Sequence, residues 1–168
     1  QVFFGQHDAR LIQMPNGSME VSVFNNGYFS PYGQYSYAQR MALPIQNNMY
    51  VPPNEGAPFL PEQVVWSYPE EPDSLFFSRN ISGYTRYLPN HNLICVGSKG
   101  WLVEVNDQFE VLWEYIVPTG SQGLPLEQGV APIFNDLFRA VFVPASHPGL
   151  EGRVLDPQSP IELNPSIE

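Results

Sequence analysis

Apolar residues come in short runs along this chain, each bounded by Pro, Asn or Gly. Met14-Pro15-Asn16-Gly17 leads into Val21-Ser22-Val23-Phe24, which closes on Asn25-Asn26-Gly27, and Leu88-Pro89-Asn90-His91 leads into Leu93-Ile94-Cys95-Val96, closing on Gly97. In each, a Pro-Asn turn joins two β-prone segments. Val64-Val65-Trp66-Ser67-Tyr68 is echoed by Val111-Leu112-Trp113-Glu114-Tyr115, apolar and aromatic segments that end at a proline break. The two Pro-Asn turns lie 74 positions apart but the two tryptophans only 47, so the first unit carries 27 extra residues, assigned to Tyr28–Pro61.

The second unit predicts four strands, at Gly83–Leu88, Asn92–Val96, Trp101–Val105 and Glu110–Tyr115, turning at Pro89-Asn90, Ser98-Lys99-Gly100 and Asn106-Asp107. Four short antiparallel strands in about 40 to 45 residues make one propeller blade. The fold expected is therefore all-β and part of a β-propeller. Blade one spans residues 1–69 with its insertion at 28–61, blade two 76–118, and a partial third 132–143 carries the strand Leu137–Val143. A Pro/Gly-rich tail follows at 144–168. The insertion holds Pro44, Pro52, Pro53, Pro58 and Pro61, too many for regular ladders through its second half. Two blades and a fraction do not close a ring of about four to eight, so the expectation is that another propeller-forming chain or further copies of this one complete it, or that this sequence is a piece of a longer protein.

Composition narrows the function. Seven Lys+Arg against 17 Asp+Glu give a net charge of −10, which excludes nucleic-acid binding on bulk charge. With 43% hydrophobic and 14% aromatic residues, disorder fits poorly. No apolar run reaches the roughly 18 residues of a membrane span. The chain opens at Gln1 without a basic and apolar leader, so a secretory signal is expected to have been removed or never to have existed. Cys95 lies alone in an apolar run and reads as a buried structural thiol. The sequons Asn16-Gly17-Ser18 and Asn80-Ile81-Ser82 make Asn16 and Asn80 candidate glycosylation sites and fit a secreted chain.

Several segments together resemble the aryl-sulfate sulfotransferase type of β-propeller, over almost the whole chain. They are Gln6-His7-Asp8-Ala9-Arg10, Val23-Phe24-Asn25-Asn26-Gly27, Phe76-Phe77-Ser78, Ile81-Ser82-Gly83 with Arg86, Asn92-Leu93-Ile94-Cys95, Val111-Leu112-Trp113-Glu114-Tyr115, Phe138-Arg139-Ala140 and Pro148-Gly149-Leu150. The resemblance is to the family's C-terminal half. It implies that His7 accepts a sulfuryl group from an aryl sulfate and passes it to a phenol, with no redox cofactor and no metal. Arg10, Ser82 and Arg86 are the candidate substrate-binding residues, as donors to sulfuryl oxygens. The implied location is secreted or periplasmic. Three features depart from the family pattern: Asn25 stands where a carboxylate is usual, the frequent Pro-Asn-Gly-Asn turn reads Pro89-Asn90-His91-Asn92, and the blades that supply most channel residues are not in this sequence.

Plainer readings stand beside these. His7 can be a polar residue opening an inner strand, Arg10 and Arg86 can pair with acids, and Ser82 can close a hairpin end. Arg139 reads as packing across a blade junction, His91 and His147 as solvent-facing. Trp66, Tyr68, Trp113 and Tyr115 read as core residues of outer strands. The acidic run Glu70-Glu71-Pro72-Asp73 reads as a solvated loop rather than a metal site. The alternative function is a non-catalytic propeller segment serving assembly, a filament or binding. The Val-Leu-Trp-Glu-Tyr element also resembles quinone-dependent dehydrogenase repeats, whose remaining motifs do not follow.

Overall fold

The computed structural model describes residues 3–47, 49–57 and 64–165. The calls on Pro58 and Pro61, on residues 62–63 of blade one and on the tail's last three residues fall outside them. The chain is all-β, built on two four-stranded antiparallel sheets. The first comprises β1 (Gln6–Gln13), β2 (Met19–Asn25), β3 (Tyr37–Ala42) and the short β6 (Trp66–Tyr68); β4 (Ile45–Gln46) and β5 (Met49–Tyr50) form a separate small hairpin. The second is a simple meander of β7 (Gly83–Leu88), β8 (His91–Val96), β9 (Trp101–Val105) and β10 (Val111–Ile116). The Pro-Asn turns join β1 to β2 and β7 to β8. At the next hairpin Gly100 takes left-handed backbone, φ +53°, and a side chain there would collide with Asn135.

Two sequence expectations need correction. The segment 28–61 is not wholly an insertion, because it contains β3, the third strand of the first sheet. The extra length is instead split between the β2–β3 loop and the stretch from Leu43 to Val65. Leu137–Val143 forms no strand ladder among the described residues: the Leu137 N–H bonds to the Gly97 carbonyl, and Phe142 stacks on Tyr87 at 4.1 Å rather than pairing along a strand.

Cross-strand pairing places Phe24, Ala38 and Tyr68 in one row of the first sheet, and Ser22, Arg40 and Trp66 in the next. This face packs on the second sheet's Tyr84, Ile94, Val96, Val103 and Val105, with Phe76 between the sheets. Trp66 is the centre of the cluster, stacked on Tyr84 at 5.3 Å and Phe109 at 5.7 Å. Trp113, its counterpart in the repeat, is 47% exposed: it lies on the face of the second sheet turned away from the first, so it is not the core residue expected. Cys95 is buried, and burial, aided by the Asp8 charge, pushes its thiol up to about 12.

Charges also cross the inter-sheet face. Asp107, in the β9–β10 turn, receives Arg86 Nη2 at 2.8 Å and Arg40 Nη2 at 3.3 Å. Asn92 Nδ2 donates to the same carboxylate at 3.0 Å and Tyr84 donates to Asn92 at 2.8 Å. Arg40 further pairs with Glu20 at 3.6 Å and lies 5.2 Å from the Trp66 ring centre. Burial alone would raise the Asp107 carboxyl. The hydrogen bonds from Arg86 and Asn92, with the charges of both arginines, outweigh it and hold the carboxyl below its usual range.

Asp107→Asn should therefore cost about 3 kcal/mol, the low end for breaking a buried ion pair, seen as a lower urea midpoint at unchanged slope. A midpoint equal to wild type would show that the turn does not hold the sheets together. A depressed folded-state pKa gives stability that is present above the unfolded value of about 3.9 and lost as pH falls through the folded one. Wild type should lose this contribution below about pH 4, and the Asn variant should lack that part of the acid sensitivity.

Candidate functional site

A bulge in β1 sets the site. His7 pairs with Phe24 and Arg10 with Ser22, so three steps of β1 span two of β2. Phe24 and Ser22 point to the same face, so His7 and Arg10 share it as well. In a regular strand, residues three apart would point to opposite faces. Asp8 makes the bulge with left-handed backbone, φ +55°.

His7 is half-buried. Its Nδ1 lies 2.7 Å from Asn26 Oδ1 and 3.0 Å from the Gly5 carbonyl oxygen. Both neighbours accept hydrogen bonds, so in the neutral ring Nδ1 holds the proton and Nε2 the lone pair. Nε2 has no hydrogen-bond partner among the described residues. Asn26 is fully buried and donates from Nδ2 to the carbonyls of Ser78, at 2.7 Å, and Ile81, at 3.1 Å. Those carbonyls belong to the turn before β7, where Ile81 and Ser82 take left-handed backbone at φ +52° and +86°. A β-branched residue there costs of order 1–3 kcal/mol.

Asp8 makes a bidentate pair with Arg10, at 3.0 and 3.1 Å, and its carboxylate lies 3.8 Å from Arg139 Nη1. The Asp8 side chain is only 8% exposed, and the arginines are 30% and 50% exposed. Gly83 makes the arrangement possible. Its missing side chain would point to the face of the second sheet turned away from the first, and a Cβ there would stand 2.5 Å from Asp8 Oδ2. Asp8 thus reaches past β7 at its first residue toward the segment that carries Arg139.

The structure puts His7 and Arg10 on one strand face; Ser82 adjoins the cluster but its hydroxyl is spent in its own turn, and Arg86 stands apart. Ser82 is 1% exposed, and its hydroxyl donates to Ser78 Oγ at 2.9 Å and accepts from the Gly97 N–H at 2.9 Å, so it closes the turn. Arg86 stands three residues beyond Gly83, about 10 Å along the strand, and is bound to Asp107 between the sheets. Asn16 and Asn80 are exposed; Asn16 Oδ1 accepts from Ser18 N–H and Oγ within its own turn. His91 is half-exposed at its hairpin and donates to Glu104 at 2.6 Å, a carboxylate that also receives the Tyr87 hydroxyl at 2.6 Å. His147 is exposed. Asn25, at the position where the resembling family has a carboxylate, accepts from the N–H groups of Phe4 at 3.0 Å and Gly27 at 3.3 Å, as a carboxylate would.

Sequence reasoning missed Asn26, Asp8 and Arg139 as parts of one site. The signal for Asn26 was two amides ending an apolar strand; nothing in the sequence reports that Asp8 passes beside Gly83. Among the described residues, no group of three or more His, Cys, Asp or Glu is arranged to hold a metal ion, and no helix is long and apolar enough to cross a membrane. No protein-family model, curated protein or solved structure matches the chain significantly.

Because the Asp8 carboxylate is held by Arg10 and cannot swing away freely, Gly83→Ala should cost about 1–3 kcal/mol through overpacking. In a chain of this size that lowers the thermal midpoint by about 2–4 °C per kcal/mol. A variant melting with wild type would mean that the carboxylate does not occupy this gap.

Proposed function

We propose that the chain is part of a sulfotransferase-type β-propeller, its two sheets being blades, in which His7 carries a sulfuryl group from an aryl sulfate to a phenol. One observation carries the reading: Nδ1 of a half-buried histidine is bonded to Asn26 and Gly5, leaving Nε2 with a lone pair and no partner among the described residues, which is the state a nucleophilic imidazole needs. In the first step Nε2 attacks sulfur, an N–S bond forms, the S–O bond to the aryl group breaks and a phenolate leaves. In the second, an acceptor phenol's oxygen attacks the same sulfur, the N–S bond breaks with its electron pair returning to Nε2, and the phenol proton passes to solvent, which restores neutral His7. Arg10 shares a strand face with His7 and is paired with Asp8, which also contacts Arg139; in this reading the guanidiniums would donate to sulfuryl oxygens. This chemistry calls for neither a redox cofactor nor a metal. The proposed location is secreted or periplasmic, with the exposed Asn16 and Asn80 as glycosylation sites in the first case.

A second reading has its own support, that of a non-catalytic segment built for assembly, filament formation or binding. The unladdered stretch 137–143 leaves Phe138, Val141, Phe142 and Val143 exposed, and the second sheet's outer strand exposes Leu112 and Trp113. Such edges and faces fit a further propeller-forming chain or more copies of this one.

Incubation with an aryl sulfate should sulfurylate His7 transiently in the complete assembly, and His7→Ala should abolish phenol release while leaving the circular-dichroism spectrum unchanged. Equal turnover by both proteins would remove His7 from the role of nucleophile. Mass measurement under native conditions should find the 19.0 kDa chain in a larger particle; a stable, monodisperse monomer would overturn the shared-propeller arrangement.

A further inference from the structure

The His7 ring could in principle hold its proton on either nitrogen. In free histidine in water the Nε2–H form is the major neutral tautomer, and that form would put a hydrogen where the transfer chemistry needs a lone pair. Two acceptors oppose it here. The Gly5 carbonyl belongs to the irregular stretch before β1 and is solvent-exposed, so it orients the ring weakly. The Asn26 amide is different in kind. It is fully buried, and a flip would aim its oxygen at the carbonyls of Ser78 and Ile81, replacing both of those hydrogen bonds by repulsive contacts, so the two carbonyls set which end of the amide faces Nδ1.

We infer that Asn26 is the positioning residue of the site: it fixes the Nδ1–H tautomer of His7 and so leaves the lone pair on Nε2. Asn26 is itself fixed by the second sheet. Its two carbonyl partners are presented by the turn whose Ile81 and Ser82 have left-handed backbone, and Ser36 and Ser98 close the same network through Ser78. The Ser36 hydroxyl donates to the Asn26 carbonyl at 2.8 Å and accepts from the Ser78 N–H at 2.8 Å, and Ser78 Oγ lies 2.9 Å from Ser98 Oγ. The tautomer of a residue on the first sheet therefore depends on that sheet being docked against the second. The inference rests on the transfer reading for its purpose, but not for its test.

Two-bond ¹H–¹⁵N spectra of the ¹⁵N-histidine-labelled full chain, recorded at a pH where the imidazole is neutral, report the tautomer directly. Wild type should show the Nδ1–H pattern for His7, assigned by its absence in His7→Ala; an Nε2–H pattern would overturn the inference. Asn26→Ala should shift His7 toward the Nε2–H form. Asn26→Asp keeps an acceptor facing Nδ1 and, with its second oxygen protonated toward the Ser78 carbonyl, should retain the Nδ1–H pattern. A residue that only braces the turn would give indistinguishable His7 spectra in the Ala and Asp variants, and that result would also overturn the inference. If either variant fails to fold, the wild-type pattern alone decides. An Nδ1–H pattern without sulfuryl transfer from an aryl sulfate would leave the positioning role standing and reject the transfer reading.

Discussion

Two arginines lie between the sheets, and the rest of the structure is arranged around the need to compensate them. Arg40 comes from the first sheet and Arg86 from the second, with side chains only 7% and 9% exposed. Guanidinium groups this dry are tolerable only beside counter-charges with directed hydrogen bonds. One carboxylate serves both, because Asp107 offers Oδ1 to Arg40 and Oδ2 to Arg86. The β9–β10 turn is thereby pinned against the first sheet. The same turn brings Phe109 onto Trp66 and its own carbonyl to Trp66 Nε1 at 3.3 Å, so the aromatic core and the ion network form one joined unit. The compensation is incomplete: Nε and Nη1 of Arg40 and Nε of Arg86 are buried without hydrogen-bond partners among the described residues. A network in that state is costly to perturb, because any lost bond exposes a charge already short of partners.

Docking the sheets in this way also builds the histidine site. His7 and Asn26 belong to the first sheet, but the carbonyls that orient Asn26 belong to the turn leading into the second, and Gly83, just beyond that turn, lets Asp8 through. Left-handed backbone at Ile81 and Ser82 is unfavourable by itself and is sustained by the bonds to Asn26 and from Gly97 to Ser82. Strain of this kind marks a place where geometry is over-determined, and it coincides here with the least ordinary side-chain cluster of the fold.

How far the sequence disclosed this follows from the range of each interaction. The second sheet was legible strand by strand because its signals are local: alternating apolar residues, and turns at Pro-Asn, Lys-Gly and Asn-Asp. The third strand of the first sheet was not, since Tyr37-Ala-Gln-Arg-Met-Ala42 has little β-propensity and becomes a strand by pairing with β2 along its whole length. Trp66 and Trp113 occupy equivalent places in the repeat and differ only in whether another sheet covers their face, a tertiary fact that the repeat cannot carry. Cys95 was legible because its environment is its own run. Asp107 read as a turn residue, which it is; its hold on two distant arginines spans 67 and 21 positions of sequence. The bulge at Asp8 left no local signature, and with it went the fact that His7 and Arg10 share a face.

The sign of the field around Asp8 bears on which reactants suit the proposed site. Asp8 is a single negative charge between two guanidiniums, Arg10 held by two hydrogen bonds and Arg139 at ion-pair distance only. The three charges sum to one positive, in a protein whose net charge is −10. Arg139 is half exposed and held by the weaker contact, so it is the guanidinium freer to turn toward an incoming group. An anion near these side chains meets a local attraction opposed by the overall charge; a cation meets the reverse. At about 4 Å a unit interaction is worth about 4 kcal/mol near a protein surface, whereas charges more than about 8–10 Å away are largely screened at physiological salt. The local term wins, and it favours an anion over a cation beside the Asp8, Arg10 and Arg139 cluster.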